Sequence, residues 1–173
     1  MNCWDTLTSN RRRRLTLVTA LSVATFPEER EAKRQALLDK VESLRDIISS
    51  GEEKAEEIGT LPQATVDAIH EAGLFAYKSA RVLGGAEADA MTQLEVVEAA
   101  SRIDAAAGWC IMIGSGTVSG MTAFLGDEAV TEIFVDGMFP RAAGAAAPSG
   151  EAVIVEGGFR AVSYTRLPLP TKA

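Results

Sequence analysis

Between Asp104 and Asp127 lies a stretch, residues 105–126, without a single charged side chain. A helix that is apolar on every side has two stable homes, the middle of a helix bundle or a lipid bilayer. The length and the Gly116-x-x-x-Gly120 spacing suit a transmembrane helix pair. However, Gly108, Gly114, Ser115, Thr117, Ser119 and Thr122 dilute the hydrophobicity. The expectation is therefore a central bundle helix, with Asp104 as its N-cap. Its small residues would let neighbouring helices, or a flat ligand, approach the backbone.

The residues around it are patterned for more helices. Residues 28–58 are rich in Glu, Lys, Arg, Ala and Leu, all strong helix formers. Leu37, Val41, Leu44, Ile48, Ala55 and Ile58 recur at three-, four- and seven-residue steps and form one apolar stripe. The stripe keeps its phase across Gly51, which predicts one helix and a cost there of about 1 kcal/mol relative to Ala. Gly59 and Pro62 end it. Thr60 followed by Gln63 predicts a capping box for a second helix, with Val66, Ile69 and Leu74 buried and Gly73 just past its end. His70 falls in the last turn, as a partly exposed side chain near the negative end of the helix dipole. Gly84-Gly85 closes a loop. Asp89 predicts the cap of a helix reaching about Ile103, with Leu94, Val97 and Ala100 inward. Asp127 predicts the cap of a short helix carrying Ala129, Val130, Ile133 and Phe134.

After Pro140 the period changes. Residues 141–147, 151–155 and 159 onward read as short strands joined by Pro148-Ser149-Gly150 and Glu156-Gly157-Gly158. Two or three strands are too few for an independent sheet, so the pattern reads as a domain cut off as it starts. Pro168 and Pro170 predict an irregular tail over residues 163–173. At the other end, Arg11 to Arg14 and the interrupted apolar run behind them resemble a secretory leader. Thr and Ser break that run, so residues 1–27 are expected to be a disordered or non-native leader. The expected organisation is thus a helical domain over 28–139 and the start of a β domain over 140–162. The fold class is mainly α: an N-terminal helical bundle domain, then the first strands of a truncated β-barrel.

Composition removes several functions. A net charge of −7 and a pI near 4.8 argue against a nucleic-acid partner, which needs a cationic face. One His and two Cys cannot build a Cys/His zinc cage, so no metal site is expected. The distant cysteines suggest no disulfide framework and a reduced, cytoplasmic protein. The glycines at 114, 116 and 120 invite a dinucleotide-loop reading. It fails because Ser119 takes the third glycine position and the preceding residues read as helix. A Walker loop fails because Met121 stands where its Lys belongs. Ser115, Thr117 and Ser119 have no base beside them in sequence and are expected to bond the preceding helical turn. No catalytic residue is assigned.

Several segments in order do carry a likeness. They are Leu61-Pro62, Glu71-Ala72-Gly73-Leu74-Phe75, Leu83-Gly84-Gly85, Asp104-Ala105-Ala106-Ala107-Gly108-Trp109, Ile133-Phe134-Val135-Asp136-Gly137, Pro148-Ser149-Gly150 and Val155-Glu156-Gly157-Gly158-Phe159-Arg160. Over roughly residues 31–160 this set resembles the N-terminal part of the acyl-CoA dehydrogenase superfamily. It is nearest to the branch of two-component flavin-dependent monooxygenases. The resemblance implies a helical domain, a β-barrel and a C-terminal bundle, usually in a tetramer. It implies FAD or FMN, a small-molecule or acyl-thioester substrate, a flavin reductase as a further partner, and no membrane. It places Ser149 and Gly150 on the loop that approaches the flavin. Trp109, Met112, Ile113, Gly116 and Thr117 fall on the substrate-pocket wall, where bulk at Gly116 would shorten the pocket. The reaction implied is acyl-thioester dehydrogenation or flavin-dependent hydroxylation. Ala80 stands where the family often has Pro, and Thr117 where some monooxygenases carry His. The dehydrogenase's basic carboxylate has no counterpart, so the chain alone is expected to be inactive and to bind flavin weakly. The other reading is a non-catalytic helical oligomerisation module.

Overall fold

Asp89 and Asp104 set the frame of the molecule. In the computed structural model, which describes residues 26–134, 139–144 and 151–162, each accepts hydrogen bonds from the second and third N–H groups of a helix. Asp89 starts one helix over Ala90–Ser101 and Asp104 another over Ala105–Phe124. Earlier helices are α1, Arg30–Ser43, α2, Arg45–Ile58, and α3, Gln63–Glu71. The two Asp-capped helices are then α4 and α5, and α6 spans Asp127–Ile133. The chain divides into one compact unit ending at Ala143 and another beginning at Gly144.

In the first unit α4 packs on both α1 and α5, while α2 packs on α3. Leu37, Val41, Ile48, Ile69, Leu74, Val96, Ala107 and Ile111 are fully or almost fully buried and form the core. Polar contacts run along its edge. Arg30 pairs with Asp89, and Arg34 places its fork on the Glu95 carboxylate. The bond from Arg30, and then that from Thr92, hold the Asp89 carboxyl well below the usual carboxylate range. Gly73 ends α3 at φ +77°, with Leu74 N–H on the Ile69 carbonyl and Gly73 N–H on the His70 carbonyl. That is the paired bonding of a Schellman motif, and it needs the left-handed backbone that glycine adopts freely.

Several expectations give way to tertiary packing. The helix expected over residues 28–58 is two, broken at Leu44 (φ −94°, ψ 0°) and not at Gly51. Leu37 and Val41 belong to the half that meets α4, and Ile48 to the half that meets α3. The break lets each half aim its own buried residues. Gly51 runs through a helix because a Cβ there would lie 2.8 Å from Thr65 Oγ1 at the start of α3. The expected capping box does not form. Pro62 takes the cap position, and Gln63 bonds Asp67 instead of reaching back. Gly126, not Asp127, caps α6. Ile58 is 46% exposed and Leu94 64% exposed, while Thr92 and Val96 face inward. Helix α4 therefore sits rotated from the orientation its largest residue suggested.

The uncharged helix α5 is enclosed on one side only. Ala107, Gly108, Ile111, Gly114, Ser115 and Val118 are buried, whereas Trp109 is 62% and Phe124 92% exposed. Among the described residues no helix is long and apolar enough to cross a membrane. A small second core of Ala76, Val118, Phe134 and Phe139 closes the end of this unit. Its two Phe rings meet edge to face at 5.2 Å.

The second unit's described part is a hairpin of β1, Glu151–Val155, and β2, Gly158–Val162. The strands are antiparallel, and Val155 opposes Gly158 across the Glu156-Gly157 turn. Residues 141–144 are not strand, contrary to the sequence pattern. The Arg141 side chain is engaged by α3 instead, as described next. Residues 1–25 of the leader expected over 1–27, the tail over 163–173 and the rest of the expected first strand lie outside the described residues.

Candidate functional site

A cleft of about 370 Å³ lies in the first unit. One wall is the half-open side of α5, where Trp109, Cys110, Ile113 and Gly114 face it. Val66 of α3 and Phe75, just past the end of α3, form its floor. Arg141, Ala142 and Ala143 close the far side. The lining is mostly apolar, and Arg141 is its one charged residue.

Each wall has a local cause. Gly114 lets the Phe75 ring approach α5 closely, since a Cβ there would come within 2.8 Å of the ring. Phe75 itself is buried, so the floor is fixed. The Arg141 side of the cleft is held by two contacts from α3. His70 Nε2 donates to the Phe139 carbonyl at 2.6 Å, which requires the ring tautomer or charge state with a proton on that nitrogen. Arg141 donates to the Asp67 carboxylate at 2.6 Å. Gln63 first, and then Arg141, keep the Asp67 carboxyl below its ordinary pKa. His70 is thus a buttress for this wall, a role its place in the last turn did not reveal.

Most hydroxyls along α5 are spent on the helix, but Ser119, expected to do the same, donates to the Lys78 carbonyl at 3.5 Å. Ser115 donates to the Ile111 carbonyl at 2.6 Å, Thr117 to Ile113 at 2.9 Å, and Thr122 to Val118 at 2.9 Å. None is an activated nucleophile. Burial raises the Cys110 thiol, and the Asp104 carboxylate adds to that, so this thiol is a poor nucleophile as well. On the opposite flank of α5, Lys78 Nζ donates to the Met112 carbonyl at 3.2 Å and sits 3.8 Å from where a Gly116 Cβ would be. Burial lowers the pKa of Lys78. Behind α5 the Tyr77 hydroxyl is buried without a hydrogen-bond partner among the described residues. Burial raises its pKa. The nearby Ser115 hydroxyl opposes this only in part, because it already serves the Ile111 carbonyl.

The sequence-derived pocket residues therefore fall in two places. Trp109 and Ile113 line the cleft. Met112 and Gly116 lie toward Lys78, and the Thr117 hydroxyl turns back on its own helix. Ser149 and Gly150 lie outside the described residues. Phe75, Asp67, His70 and Arg141 were missed. Only the Phe75 of the Gly73-Leu74-Phe75 segment carried a usable signal, as an aromatic following a C-terminal glycine. Among the described residues no group of His, Cys, Asp and Glu could hold a metal ion.

Comparison with known proteins agrees with this architecture. The family described as "Acyl-CoA dehydrogenase, N-terminal domain" matches residues 28–140. A "Pigment production hydroxylase" of Rhodococcus sp. (strain ATCC 21145) is 26% identical over 132 residues, covering 76% of this chain and 34% of that protein. A "Flavin-dependent monooxygenase, oxygenase subunit HsaA" of Mycobacterium tuberculosis (strain CDC 1551 / Oshkosh) is 25% identical over 132 residues, 76% of this chain and 33% of that protein. The chain spans about a third of the length of these relatives. No solved structure matches it. Through residues 28–140 the chain belongs to the acyl-CoA dehydrogenase N-terminal domain family, a family of oxidoreductase type.

Proposed function

We propose that this chain supplies the substrate-side wall of a flavin-dependent oxidoreductase that hydroxylates a small organic molecule. The cleft between Trp109, Phe75 and Arg141 carries the proposal. It is apolar, concave and of a size that takes a small ring system. The names of the relatives, a hydroxylase and a flavin-dependent monooxygenase, support hydroxylation over thioester dehydrogenation.

When bound, a flavin supplies the redox chemistry of such an enzyme, and the protein supplies position and exclusion of water. The described residues do not fit the whole cofactor. The cleft has one cation and no run of backbone N–H groups for a phosphate. We therefore assign flavin contact, as FAD or FMN, to Ser149 and Gly150 and to parts of the enzyme beyond the helical domain. What this chain contributes is a rigid apolar seat. Trp109 and Phe75 give it two aromatic surfaces, and the α3 contacts through His70 and Asp67 hold the opposite side. A small-molecule substrate, a reductase that delivers reduced flavin, and a homotetramer in the complete enzyme belong to the same proposal. So does a domain organisation in which residues 28–139 form the helical domain and residues 140–162 begin a β domain.

Emission of Trp109, read in a Trp4→Phe background, tests the seat. Titration with 2-naphthol is expected to quench it with a dissociation constant in the millimolar range, and Phe75→Ala should weaken that binding several-fold. Butyryl-CoA should quench it no better than free coenzyme A. Acyl-dependent binding of butyryl-CoA, with no response to 2-naphthol, would overturn the hydroxylase reading in favour of thioester chemistry.

A further inference from the structure

We infer that Arg141 is a specificity-determining residue of this cleft, reading an anionic oxygen group on an otherwise flat and apolar ligand. The inference rests on the cleft being a substrate seat and goes further by naming the charge that the substrate carries.

Three observations lead to it. First, Arg141 is the one charged residue among the apolar and aromatic groups of the lining. A ligand shaped only by hydrophobic contact gives no reason for a guanidinium there, whereas a ligand ending in a carboxylate does. Second, the guanidinium is held in place. Its Nη2 lies 2.6 Å from Asp67 Oδ1, and Asp67 is in turn fixed by Gln63 Nε2 at 2.9 Å. The backbone two residues before Arg141 is pinned by His70. Preorganisation of this kind lowers the cost of capturing a second partner. Third, donors remain. A guanidinium carries five N–H groups in a fork that suits carboxylate oxygens, and Asp67 is its one hydrogen-bond partner among the described residues. Its side chain is 45% exposed, so a ligand group can reach it from the cleft mouth.

The chain's overall charge of −7 repels anions in general. A preference for an anionic ligand would therefore have to come from a local cation, and Arg141 is the one on this cleft. Because the guanidinium is part-exposed, the effect is expected to be moderate, about three- to tenfold.

The test compares two probes of the same ring and different charge, 2-naphthoate and 2-naphthylmethanol, titrated against the chain and followed by Trp109 emission in the Trp4→Phe background. The native residue should favour 2-naphthoate by about three- to tenfold, a margin that shrinks as salt is raised. Arg141→Gln should bring the two probes level, read as the ratio of their affinities within the same variant, and Arg141→Lys should keep part of the preference. If both probes bind equally well to the native chain, or the preference survives in Arg141→Gln, the specificity role is wrong while the seat stands. If neither probe binds, the seat itself fails and the inference with it. Protection of Cys110 from alkylation by either probe supplies an independent readout, since that thiol lines the same cleft.

Discussion

Gly85→Ala is expected to destabilise the helical unit by at least about 3 kcal/mol, the upper end of what overpacking costs. A Cβ at this position would lie 2.1 Å from the Ser79 carbonyl oxygen, 2.5 Å from its carbon and 2.8 Å from the Ala76 oxygen. These are backbone atoms, so no rotamer change relieves the clash. The loop they belong to is held by its own bonds: Gly85 N–H to Ala80 O, Ala86 N–H to Ala76 O, Glu87 N–H to Ser79 O and Ala88 N–H to Tyr77 O. Any shift that admits the methyl breaks one or more of them and disturbs the fully buried Tyr77. Thermal melts by far-UV circular dichroism should show a midpoint lower by roughly 10 °C or more. A change under about 2 °C would mean that the loop is looser than described.

The second large effect separates the two faces of α5. Ile111→Ala removes a side chain with no exposed surface from the main core, where α4 and α5 meet. The lost burial and the cavity together should cost about 2–5 kcal/mol. Phe124→Ala deletes a larger side chain from the same helix. That residue is 92% exposed, so its loss should stay within about 0.5 kcal/mol. Urea unfolding of both variants reads the contrast directly. If α5 were enclosed on all sides, as its lack of charge suggested, Phe124 would be the costlier loss.

What the sequence made legible here was local. Asp89, Asp104 and Gly73 each act on backbone groups within three or four residues, so their roles follow from their position in the chain. The Ser115, Thr117 and Thr122 hydroxyls of α5 bond backwards for the same reason, whereas Ser119 reaches the distant Lys78 carbonyl instead. The hairpin turn at Glu156-Gly157 is of this kind too. What was not legible depended on distant partners. Leu44 breaks a helix whose stripe runs on in phase, because the two halves meet different neighbours. Leu94 points outward because Val96 and Thr92 fill the space against α1 and α5. The cleft could not be read as a cleft at all. Its walls come from Val66, Phe75, Trp109 and Arg141, and the contacts that close it join residues 70 to 139 and 67 to 141. Trp109 and Ile113, which the resemblance assigned to a substrate-pocket wall, are among the residues that line it. Arg141, the residue on which its selectivity turns, fell in a segment that read as an ordinary strand.

The account depends on α5 being buried along one face and open along the other. Cysteine scanning measures this most directly. In a Cys3→Ser, Cys110→Ser background, single cysteines at 109, 111, 113, 118 and 124 would be timed for reaction with a maleimide. Cysteines replacing Trp109, Ile113 and Phe124 should react at least about a hundredfold faster than those replacing Ile111 and Val118, which need the fold to open. Equal rates around the helix, or fast reaction at Ile111 and Val118, would contradict it.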